Sequence, residues 1–486
     1  MMKRPLVRNI LLSGALICWV VLLNTGIFTG DVLLTAAVIG LLPAILLMYY
    51  FFFDIDIFFC ALVFCIPLSV KADFPGGFAV SVPVEVMAVM LLFRMLADPS
   101  VARAPDRRVF RHPVFIILMI YLGWLMISAI TSEIPAVSFK RVFILLLYIA
   151  VFFYLFSIRF TTPARIAGFY LVFATGMVIP MINEAIRHSQ YHFSPQASYY
   201  MPQPFFIEHT LYGAVLAFII PAAGYLIAEG ITRKINRIRQ AALIMLFIAC
   251  LAAEFLSFSR AAWLSLAILP IFMIIFHLRI RLTYLLICFG VMNLVIILNL
   301  DPITRLVSRN ESRSNRGSIR DQVESVSNIQ TDISNLERIN RWKCALRMFA
   351  DRPFTGFGPG TYQFVYYRYQ LRKDMTHIST VHGEKGNAHS EYLGHLAETG
   401  FPGAIIFLIS ILIVIRTALR IIYRSKDPVT SRLATMVILC LLTFYVHAIF
   451  NAFLDTDEMG SLYYVSLGAI LALDLNFYRN EEVAAT

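Results

Sequence analysis

Asn387-Ala388-His389-Ser390-Glu391-Tyr392-Leu393 places a histidine where a helix is expected to begin, with Asn387 as its N-cap and Tyr392, Leu393 and Leu396 on one face. An unperturbed imidazole titrates near ~6.5, so His389 can accept a proton at neutral pH. The plain alternative is a solvated capping histidine, because most polar loop residues face water. Arg260 stands in Ser257-Phe258-Ser259-Arg260-Ala261-Ala262-Trp263, where one apolar run ends and the next begins with almost no loop. An arginine at that depth is costly unless it is paired or faces a polar cavity. It either snorkels to the interface or clamps an anion, since a guanidinium stays charged and meets phosphate oxygens bidentately. Arg338 lies four residues before Trp342 on an expected helix, and Lys140 and Arg141 lie at the mouth of another apolar run. Cations gathered near one histidine are the arrangement that an anionic, phosphate-bearing substrate requires.

Other polar groups give weaker signals. Asp455-Thr456-Asp457 has the form of a metal-binding pair and Asp54-Ile55-Asp56 repeats it, but two-residue matches are common and hard cations need several converging oxygens. No metal and no cofactor are therefore expected. The turn at Gly356, Gly358 and Gly360 follows a helix rather than a strand, so it is not a dinucleotide fingerprint. Glu85 and Glu254 fall in apolar runs without an evident partner. Six of the seven cysteines lie in apolar segments and Cys344 has no evident partner, so no disulfide framework is implied.

The elements that position these residues are membrane helices. The 486-residue chain is 59% hydrophobic and 15% charged, more apolar than a water-soluble core can absorb. Its net charge of +11 could suggest nucleic acid, but the basic residues sit in short loops between apolar runs, which is a topology signal and excludes that partner. Runs of spanning length fall at about 9–28, 31–51, 55–70, 77–97, 113–131, 138–158, 165–182, 208–229, 240–258, 261–277, 282–300, 401–423, 433–453 and 459–477. The first, preceded by Lys3, Arg4 and Arg8, runs past signal-peptide length and is expected to be a membrane helix. With both termini cytoplasmic, the Arg- and Lys-rich loops alternate correctly, and Lys71, Lys140, Arg141, Arg187 and Arg260 are the outer exceptions. The expected fold is all-α: a polytopic transmembrane helical bundle of about 12–14 spans with one large, partly helical periplasmic loop. Residues 1–300 form the bundle, 301–400 the loop and 401–486 the C-terminal membrane helices.

Within that loop, Ser308 to Ser334 is a polar connector, and Leu336 to Ala350 is an amphipathic helix whose apolar stripe is Ile339, Trp342, Ala345, Leu346 and Phe349. It ends at Asp351-Arg352-Pro353. A second loop helix runs from Asn387 through Glu398 and stops at Gly400.

Over about 240–410 the chain resembles the O-antigen ligases and the related polysaccharide polymerases of bacterial envelopes. The resemblance rests on Ser259-Arg260, Arg338 with Trp342, Asp351-Arg352-Pro353-Phe354-Thr355-Gly356-Phe357-Gly358-Pro359-Gly360, His389-Ser390-Glu391-Tyr392-Leu393, and Glu398-Thr399-Gly400-Phe401-Pro402-Gly403. Upstream of 240 only the topology matches. Ser390 stands where asparagine often follows the histidine, and the span count exceeds the usual dozen by about two. The resemblance implies a metal-independent, inverting glycosyltransferase of the bacterial inner membrane. Its active site would be periplasmic, its donor a glycan on undecaprenyl or another polyprenyl pyrophosphate, and its acceptor a lipid or glycan hydroxyl such as that of lipopolysaccharide. Carried over, His389 activates the acceptor hydroxyl, Arg260 and Arg338 hold the pyrophosphate with Arg141 and Lys140 beside them, and Trp342, Gly356, Gly358 and Glu398 support the site. A polymerase that extends lipid-linked repeats fits the same motifs. A transporter for lipid-linked oligosaccharide fits less well, because it predicts internal repeats and ionisable residues near the bilayer midplane.

Overall fold

The computed structural model describes residues 32–74, 78–98, 100, 101, 107–284, 287, 333–376, 379 and 386–485. The chain divides into two units, Met1–Leu62 and Val63–Thr486. In the first, helix α1 covers Val32–Phe53 and α2 begins at Ile55 and ends at Cys65. Asp54 Oδ1 accepts the amides of Asp56 and Ile57 at 3.1 and 3.2 Å, so the first carboxylate of that acidic pair caps α2.

The second unit carries the bundle. In chain order it holds strands β1 (Val70–Phe74) and β2 (Phe78–Val82), then α3 (Val84–Ala97), α4 (Pro113–Ile130), α5 (Pro135–Arg159), α6 (Pro163–Ser189) and α7 (His209–Thr232). Helices α8 (Arg237–Leu256), α9 (Arg260–His277), α10 (Ile333–Asp351), α11 (Glu391–Arg424), α12 (Pro428–His447) and α13 (Asp457–Ala485) follow. Pro113, Pro135, Pro163 and Pro428 open their helices in the first turn, where a missing N–H leaves no bond unmade. Side chains of His112, Thr162, Asn236 and Asp427 cap α4, α6, α8 and α12.

Among the described residues eight helices, α4 to α9 with α11 and α12, are long and apolar enough to cross a membrane. The protein is an all-α, polytopic membrane protein. Helices α7 and α12 are the most enclosed, each 72% buried over its apolar window, and they pack on one another. Helices α8 and α9 are only 17% and 22% buried, which leaves most of their apolar surface to face lipid.

The apolar run expected at 77–97 starts differently. Its first part is β2, paired antiparallel with β1 in the register Val70↔Val82, Ala72↔Val80 and Phe74↔Phe78, and helix begins only at Val84. The short alternation Ala79-Val80-Ser81-Val82 has a two-residue period, and Pro83 disfavours helix in the residue before it. The expected runs at 9–28 and most of 282–300, with the connector 308–332, lie outside the described residues.

Two expectations about the loop are corrected. Helix α10 buries Glu337, Asn340, Arg341, Cys344, Ala345 and Met348, so its inner face is turned from the apolar stripe read in the sequence, and Leu346 stays 48% exposed. The turn is possible because the polar members find partners: Arg341 Nε donates to Glu337 Oε1 at 2.9 Å, Asn340 Nδ2 to Gln370 Oε1 at 3.0 Å, and Thr376 Oγ1 to Glu337 Oε2 at 3.1 Å. The second loop helix is the start of α11: Ser390, not Asn387, caps it, and it ends as expected at Gly400, whose non-helical backbone separates it from the helix that follows. Gly400, at φ 67° and ψ −175°, bends the chain, and Pro402 sits in the first turn after the bend, so loop helix and membrane span abut without a linker.

That bend uses a backbone region open essentially to glycine alone, and an added Cβ would clash with the Phe354 carbonyl oxygen. Gly400→Ala should lower stability by roughly 1–3 kcal/mol, read as a lower unfolding midpoint in detergent. Gly123→Ala, where the new methyl meets nothing within 4 Å, should leave the midpoint in place.

Candidate functional site

His389 is not in the first helical turn. It precedes the Ser390 cap with φ at 47°, an uncommon left-handed conformation for a residue with a side chain. Three neighbours hold it there. Its amide donates to Asn387 Oδ1 at 3.0 Å, Trp342 Nε1 donates to its carbonyl at 3.0 Å, and Asn387 Nδ2 donates to the Ala452 carbonyl at 2.8 Å. Arg341 Nη1 adds a bond to the Asn387 carbonyl at 3.1 Å. Trp342 thus acts by fixing the backbone that carries the histidine.

The ring is neutral. Burial, then the positive charges of Arg341 and Arg338, hold His389 down to about 3, against the smaller opposing effect of a hydrogen bond that the ring donates to the Asn451 side chain. Its Nδ1 is buried without a hydrogen-bond partner, as are Nε2 of His447 and Nδ2 of Asn451, residues joined by the Asn451 amide donating to the His447 carbonyl at 3.1 Å. Arg338 also acts on His447. Unmade bonds on buried polar atoms each cost about 1–3 kcal/mol, so a cluster of them marks a place built for another purpose than stability.

Arg260 and Arg338 reach one centre from distant segments. Arg260 is the first residue of α9, after a reversal in which the Ser259 amide donates to Ser257 Oγ at 3.1 Å and Phe258 has φ 50°. Gly213 of α7 lets the reversal approach: a Cβ there would lie 2.7 Å from that of Ser259. His209, at the start of α7, donates from Nδ1 to the Ser257 carbonyl at 2.7 Å, and Arg338 and Arg260 both act on its ring. Arg338 also donates to Asn335 Oδ1 at 3.2 Å. Next to His209, burial raises the Glu208 carboxyl above the ordinary range, with Arg338 and Arg341 opposing. Arg338 thus acts on both His389 and His209, and Arg260 on His209.

Lys140 and Arg141 sit elsewhere. Arg141 is ion-paired with Asp455, and its charge bears on Glu391, Glu398 and His395 rather than on the His389 ring. Lys140 acts on Glu85. Asp457 accepts from the Tyr148 hydroxyl at 2.6 Å, so each acid of the Asp455-Thr456-Asp457 pair is engaged by a side chain of α5.

Glu398, Gly356 and Gly358 form the mount. Glu398 accepts the amides of Gly360 and Tyr362, one on each carboxylate oxygen, both at 2.9 Å, and its carbonyl accepts the Gly358 amide at 2.8 Å. At Gly356 a Cβ would strike the Glu398 backbone, and at Gly358 it would strike the Ser132 side chain. Ser128, Ser132 and Ser138 donate to the carbonyls of Thr355, Phe357 and Pro359 at 2.7, 3.1 and 3.0 Å. The glycine turn is thus clamped between α4, α5 and α11.

Arg341, Glu208, His209, His447 and Asn451 were not singled out in the sequence. Arg341 carried one usable signal, its position three residues after Arg338 on the same helix. The others are single polar residues at helix ends, distinguished only by what packs around them.

Residues 241–408 match a family model described as O-Antigen ligase. The matched stretch runs from α8 into α11 and contains Arg260, Arg338, Trp342, Glu398 and His389. No curated protein matches the chain.

A His389 proton affinity lowered by burial and two arginines has a direct readout. With ring nitrogens labelled, its imidazole should stay neutral from pH 8 down to pH 5, whereas an unfolded histidine protonates near ~6.5. The folded chain then binds fewer protons than the unfolded one in the window from ~6.5 down to about 3, so this residue contributes a loss of stability as pH falls through it. A titration midpoint near ~6.5 in the folded protein would show that the ring is solvated.

Proposed function

From a chain whose residues 241–408 are related to the O-antigen ligases, we propose a glycosyltransferase that moves a glycan from a polyprenyl-pyrophosphate carrier to an acceptor hydroxyl at the periplasmic face of the bacterial inner membrane. The matched stretch supports ligase- or polymerase-type chemistry on lipid-linked glycans in general. The observation that carries the narrower reading is a neutral, half-buried imidazole with a free Nδ1, held beside Arg338 and Arg341.

In this reading the acceptor hydroxyl attacks the anomeric carbon of the donor sugar from the face opposite the pyrophosphate, which inverts the centre. The hydroxyl proton passes to His389 as the new glycosidic bond forms. The bond to the pyrophosphate oxygen breaks, and the lipid pyrophosphate leaves with its electron pair and an added negative charge. Arg338 and Arg260, with Arg341, stabilise that charge. Arg141, ion-paired with Asp455, and Lys140 take no step in this reading.

The low proton affinity of His389 fits this order of events. An imidazole near about 3 is a weak base for a sugar hydroxyl, and the two arginines are part of the cause. A bound pyrophosphate offsets their charge and strengthens the base when the donor is in place. No metal enters any step.

The purified chain in nanodiscs, given a polyprenyl-pyrophosphate oligosaccharide and candidate acceptors, should transfer glycan with EDTA present. Loss of the base in His389→Ala should slow transfer by about 10²–10⁴. Arg338→Ala or Arg260→Ala should cost about 10²–10³, by analogy with the loss of an oxyanion donor. Transfer at the wild-type rate by a folded His389→Ala protein would end the proposal. Product masses separate the finer readings: one addition to a lipid acceptor indicates a ligase, and a ladder on the carrier lipid indicates a polymerase.

A further inference from the structure

The end of the bundle away from His389 holds a second basic site that the transfer chemistry does not use. His389 precedes the first residue of α11, and the site lies at the last turns of that element, beyond the Gly400 bend and up to roughly 36 Å along the helix that follows it. A cavity of about 640 Å³ opens there between α11, the start of α4 and the chain just after α9. Arg281, Arg416, Arg420 and Arg424 line it, and no acidic residue does among the described ones.

Arg416, Arg420 and Arg424 follow one another at four-residue spacing, so they project from one face of α11, where like charges repel. Arg281 brings a fourth positive charge to the same space from another segment. The nearby acid is already engaged: Asp474 of α13 is fully buried, pairs with Arg420 and lies 3.1 Å from Nε2 of His112. That pairing answers the charge of Arg420, and a phosphate would meet Arg281, Arg416 and Arg424. Tyr423 fixes the rim by donating to the Ile280 carbonyl at 3.1 Å.

Basic loops orient a membrane protein wherever they fall, and orientation alone does not require them to converge. Here they converge on a cavity whose other walls are mostly apolar, Pro113, Leu282, Ile413 and Leu419 with Thr417 and Tyr423. Guanidinium groups match phosphate oxygens, and basic pockets between membrane helices take lipid headgroups. We propose that this cavity is a phosphate-binding site, filled by the headgroup of an anionic phospholipid or by free phosphate. The inference is independent of glycan transfer and has its own readout.

The full chain in dodecyl maltoside is titrated with phosphatidylglycerol, phosphatidylcholine or inorganic phosphate, and thermal unfolding is followed by intrinsic fluorescence. Phosphatidylglycerol should raise the midpoint saturably by roughly 3–6 °C, and phosphatidylcholine should not. The double variant Arg416→Gln, Arg424→Gln should keep the wild-type midpoint in phosphatidylcholine and lose the rise. Arg416→Lys with Arg424→Lys, which keeps the charge, should retain at least half of it, separating loss of the site from loss of fold. If inorganic phosphate alone reproduces the rise in wild type but not in the glutamine variant, the occupant is free phosphate. The site is refuted if neither phosphatidylglycerol nor phosphate shifts the midpoint, if phosphatidylcholine does as well, or if the glutamine variant responds like wild type.

Discussion

A carboxylate on a membrane helix holds two amides of the loop, and the geometry around His389 depends on that grip. Glu398 accepts from Gly360 and Tyr362, while the carbonyls of Ala397 and Glu398 take the amides of Phe357 and Gly358 and the Pro353 carbonyl takes that of Phe401. Segment 353–362 is thereby strapped to α11 on one side, and three serines of the α4–α5 corner hold its carbonyls on the other. Helix α10 lies directly before the strap and His389 directly before α11. Fixing the strap fixes both, and only then does Trp342 of α10 reach the His389 carbonyl. Hydrogen bonds to an ionised acceptor are about twice as strong as neutral ones, which suits a joint that no described disulfide reinforces.

Much of this was legible in the residues. Arg338 and Trp342 stood out because a helix of period 3.6 was evident around them, and Gly356 to Gly360 read as a turn because several glycines so close leave few other conformations. The face of α10 was misread because periodicity weighs apolar residues alone. Glu337, Asn340 and Arg341 are buried only since Thr376, Gln370 and Asn387, far along the chain, supply partners. The hairpin before α3 was hidden for a related reason: a two-residue alternation four residues long is lost inside a run that is apolar on average. Asn387 looks like a cap and works as one, but for the turn at His389 rather than for α11.

His447 and Asn451 show where sequence reasoning stops. A lone histidine at the end of an apolar helix is more often a satisfied core residue than part of a site. The distinction lies in unmade bonds, which no spacing rule reports: Nε2 of His447, Nδ2 of Asn451 and Nδ1 of His389 are all buried without partners. The enclosed packing of α7 and α12 offsets the cost of such atoms.

Two of the arginine groups on the described chain illustrate how one charge serves different ends by its surroundings. Arg141 has a carboxylate partner in Asp455 and further acids near it, so its field is largely answered within the fold. Arg338 bears instead on His389, His209, His447 and Glu208, and Arg341 on His389 and Glu208. Burial disfavours the charged form of His389, and the two arginines disfavour it again. Arg341 is itself ion-paired with Glu337, while the imidazoles nearby bring no negative charge to the arginines. In the proposed reading an entering dianion adds negative charge beside the ring and raises its basicity. On the proposed function, the positive charge that weakens the base is also the charge that would bind the donor, so the two roles would be coupled through the same guanidinium groups.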